Sequence, residues 1–373
     1  MRSSSSPARV SVRAKPKIVA KGVRRSWQAR ETTRGNLASV IVALRFYRMA
    51  EARNSPIADM QASAPEIQLG LTRAGVTGVQ KAIRIRHEGH EKTFAAEISC
   101  TVDLDPRQKG VHMSRFPELF GEAIDTVVIG EAFLVETLAE HIARHIVERQ
   151  HALRAEVRIE AQYPLERRTP VTDLPTQEIA TLIGIAAASP EGVRRVVGVE
   201  AWGINACPCA QGLVRGAASE RLLEAGFGEG DIGRILELVP LATHNQRGKG
   251  TLLVGTNAEI NAEHLVEIVE QSMSSPVYEL LKRPDELFVV EHAHLQPRFV
   301  EDSVRFALKA VTDRYPALDD DDFVYARQLN LETIHRHDVL AERTGTIGEV
   351  RHELAGAVAE RHTDLREWFL RPL

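Results

Sequence analysis

The side chains best suited to chemistry in this chain are a thiol, several imidazoles and a set of carboxylates, most of them in its second half. Asn205-Ala206-Cys207-Pro208-Cys209-Ala210-Gln211 leaves a predicted strand and enters a loop. Cys-Pro-Cys lacks the two intervening residues of a zinc-ribbon pair, and a disulfide across so short a ring would be strained. The motif therefore offers one soft ligand or, equally, a buried structural cysteine. His244-Asn245-Gln246-Arg247 follows a Pro- and Leu-rich turn. A histidine beside an arginine suits a metal ligand flanked by an anion contact, and also suits an ordinary surface loop. Glu332-Thr333-Ile334-His335-Arg336-His337 reads as a strand, in which His335 and His337 share a face and could move protons or bind a metal.

Lys282-Arg283-Pro284-Asp285-Glu286 reads as the end of a helix, where the dipole favours Lys282 and Arg283 but not the acidic pair, which leaves Glu286 a candidate ligand. Glu301 lies beside the apolar stripe Val300, Val304, Ala307 and Val311 of a helix expected from Gln296-Pro297 onward. In the first half, Gly110-Val111-His112-Met113-Ser114-Arg115-Phe116 precedes a helix. Ser114 suits an N-cap there, while His112 and Arg115 could meet an anion at the helix N-terminus.

The elements that must position these groups follow from periodicity. Two alternating stretches around Ala82–Arg86 and Phe94–Ser99, split by Glu88-Gly89-His90, predict a hairpin. Pro117–Val128 predicts a short helix, and Leu134, Leu138, Ile142 and Ile146 predict a long amphipathic one. Ala155–Ala161 and Ile179–Ala186 predict two more strands. The order then repeats: strands at Val196–Trp202 and Gly250–Gly255, helices over 262–282 and 297–315, and a strand over Phe323–Leu331 with a further strand in the tail. Ser275-Pro276 fits an N-cap and first helical position, a place where the 262–282 helix would break.

Composition limits the function. With 373 residues and 43% hydrophobic content the chain can bury a large core or two modules. Three cysteines are too few for a disulfide framework, and no apolar run reaches the ~20 residues of a membrane span, so a soluble, reduced, cytoplasmic protein is expected. A net charge of -4 gives no argument for nucleic acid, and an anionic ligand would have to be met by local bases. The first 48 residues hold twelve Lys or Arg and one acidic residue, Glu31, the composition of a transit-like arm or of an over-extended start ahead of Met49.

Taken together, six stretches resemble the type B family of GTP cyclohydrolase I, which has the tunnelling fold. They are G-V-H-M-S-R-F at 110–116, A-C-P-C-A-Q at 206–211, T-H-N-Q-R at 243–247, L-K-R-P-D-E at 281–286, F-V-E-D at 299–302 and E-T-I-H-R-H at 332–337. They run in family order over roughly residues 65–345. The resemblance implies an α+β chain of two tandem tunnelling-fold modules, each of antiparallel strands backed by two helices, at 65–190 and 191–345. A 1–64 arm precedes them and a 346–373 helical tail follows. It also implies a homotetramer with sites near subunit interfaces, GTP as substrate, and no nucleic-acid or membrane partner.

Residue by residue, the resemblance places the metal ligands on Cys207, His244 and Glu286, a guanine-anchoring carboxylate on Glu301, and further site groups on Glu332 and His335, with His112 and His337 as other candidate acid-base groups. Three protein ligands leave a position open for water, and a carboxylate can accept two parallel hydrogen bonds from the N1 and 2-amino groups of guanine. Arg115, Arg247, Lys249, Lys282 and Arg283 are the candidates for the phosphates. The implied reaction opens the imidazole ring at C8 and releases formate. One divalent ion, Fe(II), Zn(II) or Mn(II), serves each site, and ligand type does not choose among them. The expected product is 7,8-dihydroneopterin triphosphate. Alternatives are the 2',3'-cyclic phosphate of the archaeal branch, another tunnelling-fold enzyme, or a purine or pterin binder without turnover. One departure favours the archaeal branch: Cys207 and His244 are separated by about 30 residues more than in many bacterial members, and Gly212–Leu238 carries a helical pattern.

Overall fold

The computed structural model describes residues 61, 63–87, 90–126, 135–150, 152–358 and 361–371. The arm at 1–60, the hairpin tip Glu88-Gly89 and the helical positions Val127, Val128 and Leu134 named above lie outside the described residues.

A single antiparallel sheet runs through the described chain. β1 (Leu71–His87) and β2 (His90–Leu104) form the expected hairpin. α1 (Arg115–Thr126) and α2 (Val135–Gln150) follow, then β3 (Ala155–Arg168) and β4 (Pro175–Ser189). A tight turn pairing Ser189 with Gly192 leads into β5 (Gly192–Ala206), so the sheet continues from the first set of strands into the second without a break. α3 (Pro208–Glu224), α4 (Glu229–Leu238), β6 (Asn245–Gly255) and α5 (Ala262–Ser272) come next. The chain then forms β7 (Ser275–Pro276), α6 (Arg283–Leu295), α7 (Val300–Arg314), β8 (Phe323–Asn330) and β9 (Val339–Thr346), and ends with α8 (Ile347–Leu354) and α9 (Leu365–Leu370). Strand order is β1-β2-β3-β4-β5-β6-β8-β9, with β7 attached to β5. Without the α3–α4 pair, β7 and α6, this is strand-strand-helix-helix-strand-strand twice over, the α+β arrangement of two tunnelling-fold modules.

Alternation explains the layers. In β3 the residues Ala155, Val157, Ile159 and Ala161 are buried toward the helices, and α2 answers with Leu138, Ile142 and Ile146. Gly184 on β4 is where α2 begins its approach, since a Cβ there would stand 2.5 Å from the carbonyl carbon of Val135. Near its end β4 is buried on both faces. Leu182 and Ala186 join the main core, while Ile183, Ile185 and Ala187 pack with Trp368 and Phe369 of α9 on the other face.

Several expectations are corrected. The 262–282 helix stops at Ser272, because Ser274 and Ser275 are fully buried and the Ser274 side chain is tied to β5 by a bond from the Ala206 amide to its Oγ, 3.1 Å. Ser275-Pro276 consequently adds a two-residue strand to β5 instead of capping a helix. Lys282–Glu286 opens a helix and does not close one, so the acidic pair lies at its favourable, positive end. Glu332–His337 forms a loop, because β8 ends at Asn330, and α7 starts at Val300, a turn beyond Gln296-Pro297.

Candidate active site

Strand register brings the thiol and the imidazole together. β5 and β6 pair out to Ala206 opposite Asn245, so the next residues outward are Cys207 and His244. The Cys207 amide donates to the His244 carbonyl at 3.1 Å, and the Thr243 hydroxyl donates to the Cys207 carbonyl at 2.9 Å. Most of the long separation is spent on α3 and α4, and the chain leaves and returns at the same point of the sheet. Cys207 also caps α3: Pro208 takes the first helical position, and the Ala210 amide points at the Cys207 Sγ, 3.5 Å away. That helix end places positive partial charge at the sulfur.

His244 is held by acceptors on one side of its ring. Its Nδ1 lies 3.2 Å from Gln246 Oε1 and 3.8 Å from Glu332 Oε2. A proton on Nδ1, donated to the Gln246 oxygen, leaves Nε2 free to ligate, the arrangement of a histidine with outer-shell support. The Glu332 side chain is 5% exposed, and its Oε2 is a buried oxygen with no hydrogen-bond donor. A buried carboxylate oxygen without a donor calls for positive charge nearby. The thiol and the imidazole are donors that fit a divalent transition metal, and the Glu332 carboxylate adds negative charge beside them.

These groups line one cavity of about 260 Å³ with Glu301, His335 and His337. Glu301 sits in the first turn of α7, and the His335 and His337 rings stack at 5.1 Å and 13° within the loop after β8. The two imidazoles thus meet by loop folding and not by strand alternation. Thr333 ties that loop to β6 through a bond to the Asn245 carbonyl, 3.1 Å.

The other candidates lie outside the cavity lining. Glu286, Lys282 and Arg283 are exposed at the start of α6. His112 and Arg115 stand before α1 in the first half, His112 half-buried and Arg115 exposed, joined by a bond from the Arg115 amide to the His112 carbonyl. Arg247 alternates with the buried Gln246 and stacks its guanidinium over Trp202, 4.9 Å from the ring centre, beside Lys249. Within one chain, six of the candidate residues are brought together: Cys207, His244, Glu301, Glu332, His335 and His337. Among the described residues, no group of three or more His, Cys, Asp or Glu is already arranged as a metal cluster.

Gln246 and Arg298 also line the cavity and were not foreseen. Arg298 packs over Phe306 at 4.1 Å and donates to the Gln271 carbonyl. The one available signal was for Gln246, a polar residue at an inward-facing strand position. Asp285, beside Glu286, is fully buried. Val171 N, Thr172 N and Thr172 Oγ1 from the β3–β4 turn, and Lys282 N, all donate to its carboxylate. Burial opposes its ionisation, yet the bonds from Thr172, Lys282 and Val171 outweigh that and hold the carboxyl well below the usual range.

A family model described as Type I GTP cyclohydrolase folE2 matches residues 57–341. GTP cyclohydrolase MptA of Methanococcus aeolicus is 41% identical over 305 residues, covering 79% of this chain and 99% of its own. MptA of Methanothermobacter thermautotrophicus is 40% identical over 304 residues, covering 79% and 95%. MptA of Methanocaldococcus jannaschii is 38% identical over 304 residues, covering 79% and 97%. Among solved structures, uricase from Arthrobacter globiformis aligns at a TM-score of 0.44 and 10% identity over 80% of this chain and 98% of its own.

Proposed function

The chain belongs to the type I GTP cyclohydrolase family, and on that premise we propose that it opens the imidazole ring of GTP at the cavity between Cys207, His244 and Glu301, releasing C8 as formate. The observation that carries this reading is the pairing of Cys207 with His244 at the end of β5 and β6, with the donor-free oxygen of Glu332 beside them.

Cys207 and His244 would hold a divalent metal, with Glu286 as the third ligand that the family resemblance implies. Bound there, the ion supplies Lewis acidity and makes water a stronger acid. The chain's own groups do the rest. Glu301 accepts two hydrogen bonds from the N1 and 2-amino groups of guanine and so fixes C8 over the cavity. Water adds at C8, His335 delivers a proton to the ring nitrogen as the C8–N bond opens, and a second water frees formate. Gln246 accepts the His244 Nδ1 proton, the Glu332 carboxylate lies 3.8 Å from the same nitrogen, and His337 supports the His335 ring by stacking. In this reading Glu286, Lys282, Arg283, His112 and Arg115, which lie outside the cavity of one chain, would reach it from neighbouring copies of a homotetramer. Arg247 and Lys249, side by side over Trp202 with Lys249 paired to Glu200, are the candidates on the sheet for phosphate.

Two products fit this chemistry: 7,8-dihydroneopterin triphosphate and the 2',3'-cyclic phosphate. The ordered α3–α4 pair between Cys207 and His244, and archaeal MptA relatives aligned over 95–99% of their length, favour the cyclic phosphate with Fe(II). An anaerobic assay of the purified protein with GTP and Fe(II), Mn(II) or Zn(II), followed by product mass, tests both points. The expected result is metal-dependent formate release with a cyclic phosphate product. A triphosphate product would move the chain to the bacterial chemistry, and affinity for GTP without formate under any metal would make it a binder.

A further inference from the structure

Beneath the cavity lies a buried polar cluster that no step above uses. Asn205, on β5, is fully buried, and both ends of its amide are engaged. Its Nδ2 donates to Ser303 Oγ on α7 at 3.1 Å and to Asn330 Oδ1 at the end of β8 at 3.2 Å. Its Oδ1 accepts from the Ser274 amide at 3.2 Å, and the Ser274 hydroxyl in turn accepts from the Ala206 amide. Asn330 Oδ1 takes a second bond from Gln328 Nε2 at 3.0 Å. Turning the Asn205 amide over would set its N–H against the Ser274 N–H and its oxygen against the Asn330 oxygen, so the network fixes one orientation.

Each end of the cluster lies two residues from a group in the cavity. Asn205 precedes Cys207 by two, Ser303 follows Glu301 by two, and Asn330 precedes Glu332 by two. β5, α7 and the loop after β8 meet nowhere else through a shared side chain among the hydrogen bonds described here. The backbone is also shaped to admit the cluster. A Cβ on Gly248 would stand 2.3 Å from Gln328 Nε2 and 2.8 Å from Asn330 Oδ1, so that strand position has to lack a side chain. Buried amides and hydroxyls stabilise little against apolar packing of the same shape, and cost much when half-satisfied, so a closed network here defines geometry more than it adds stability.

We propose that Asn205 is the positioning residue that sets the Cys207 end of β5 against Glu301 and against the Glu332–His335 loop, so that one buried amide fixes the spacing between the metal side and the purine side of the site. The proposal rests on the GTP cyclohydrolase reading given above. Its parts separate by branch. Ser303→Ala cuts only the arm to α7, and loosens Glu301 while leaving Cys207 and His244 in place. Asn205→Asp keeps the size of the side chain and the acceptor for the Ser274 amide, but sets an acceptor in place of the amide donor against the Asn330 oxygen, and disturbs the arms to Ser303 and Asn330 together.

The test compares wild type, Ser303→Ala and Asn205→Asp for formate release from GTP, metal content and melting temperature. Ser303→Ala is expected to raise KM by about 10-fold with kcat within about twofold and metal content unchanged. Asn205→Asp is expected to lower kcat/KM by about 10–100-fold, the usual range for loss of an outer-shell support, with metal content reduced as well. If both variants melt earlier yet keep wild-type kcat, KM and metal content per folded molecule, the cluster is only a structural filler and the proposal is overturned. If Asn205→Asp does not fold, Ser303→Ala alone decides, by whether KM moves without kcat. A wild type that turns over GTP while its variants match it defeats the Asn205 proposal alone. A wild type that releases no formate with any of the three metals defeats the functional reading, and this proposal with it.

Discussion

The two halves of the sheet share one order of elements but bury different side chains. Around α2 the first half closes on Ile83, Phe94, Ile98, Ile142 and Ile159, and Glu136 and Thr169 are its buried polar residues among those described. The corresponding region of the second half buries Asn205, Gln246, Ser274, Ser303, Gln328 and Asn330 at the strand ends below the cavity. In the first half the helices meet the sheet through apolar side chains. The second accepts the desolvation of amides and hydroxyls, which is tolerable only because they bond to one another. One copy of a duplicated fold thus serves as scaffold, and the other gives up apolar burial where it must present a thiol, an imidazole and carboxylates in register.

That contrast can be broken in order of effect. Glu301→Ala in the second half should lower kcat/KM for GTP by about 100-fold or more, since a site built to bond guanine loses its paired acceptor. Ile98→Val in the first half should cost about 1 kcal/mol of stability, seen in a urea titration, and leave kcat and KM unchanged. Equal kinetic losses from both would erase the distinction between scaffold and site.

A second comparison sets the cavity residues against those that lie outside it. If copies share sites and His112 belongs to one, His112→Ala should lose formate release as His335→Ala does, and co-purified mixtures of the two chains should recover part of the wild-type rate. No recovery in verified mixed oligomers would place His112 in the same chain's site or in none.

Acid sensitivity should separate the halves through Asp285, which clamps the β3–β4 turn to α6. Its folded-state pKa is depressed below the unfolded value of about 3.9. Its contribution is therefore complete above that value and is lost as pH falls toward the folded pKa. Urea midpoints of Asp285→Asn should be lower than wild type at pH 7, and the gap should narrow only as pH falls from about 4 toward 2. A constant difference across that range would remove the carboxylate from the account. The smallest effect is expected of Cys209→Ser, an exposed thiol two residues from Cys207. Metal content and turnover should match wild type, and a loss of metal would give Cys209 a ligand's part.

How far the sequence could be read depended on which force decided each element. Leu138, Ile142 and Ile146 sit four apart, and the helix they announce is α2. Alternation at Ala155–Ala161 and the turn before His90 likewise marked β3 and the first hairpin. The apolar pattern after Ala262 continued past Ser272, but the Asn205 side chain and the Ala206 amide of β5 catch Ser274 and end the helix there, tertiary bonds with no local signature. The alternating polar run Glu332–His337 imitated a strand, yet the ladder finishes where the Leu331 amide donates to the Arg247 carbonyl. Cys207 and His244 were legible as ligand types, and β5–β6 register explains why they meet across so long a separation. Asn205 was visible only as an amide beside Cys207, because its role lies in three contacts far away in sequence.

The central claim is that Cys207 and His244 hold the reaction that frees C8 of GTP. Its most direct measurement is formate released per GTP consumed, with GTP labelled at C8, for wild type and Cys207→Ala loaded anaerobically with the same metal. One labelled formate per GTP from wild type, and background release with loss of bound metal from Cys207→Ala, is the predicted result. Full formate release by Cys207→Ala would contradict the account.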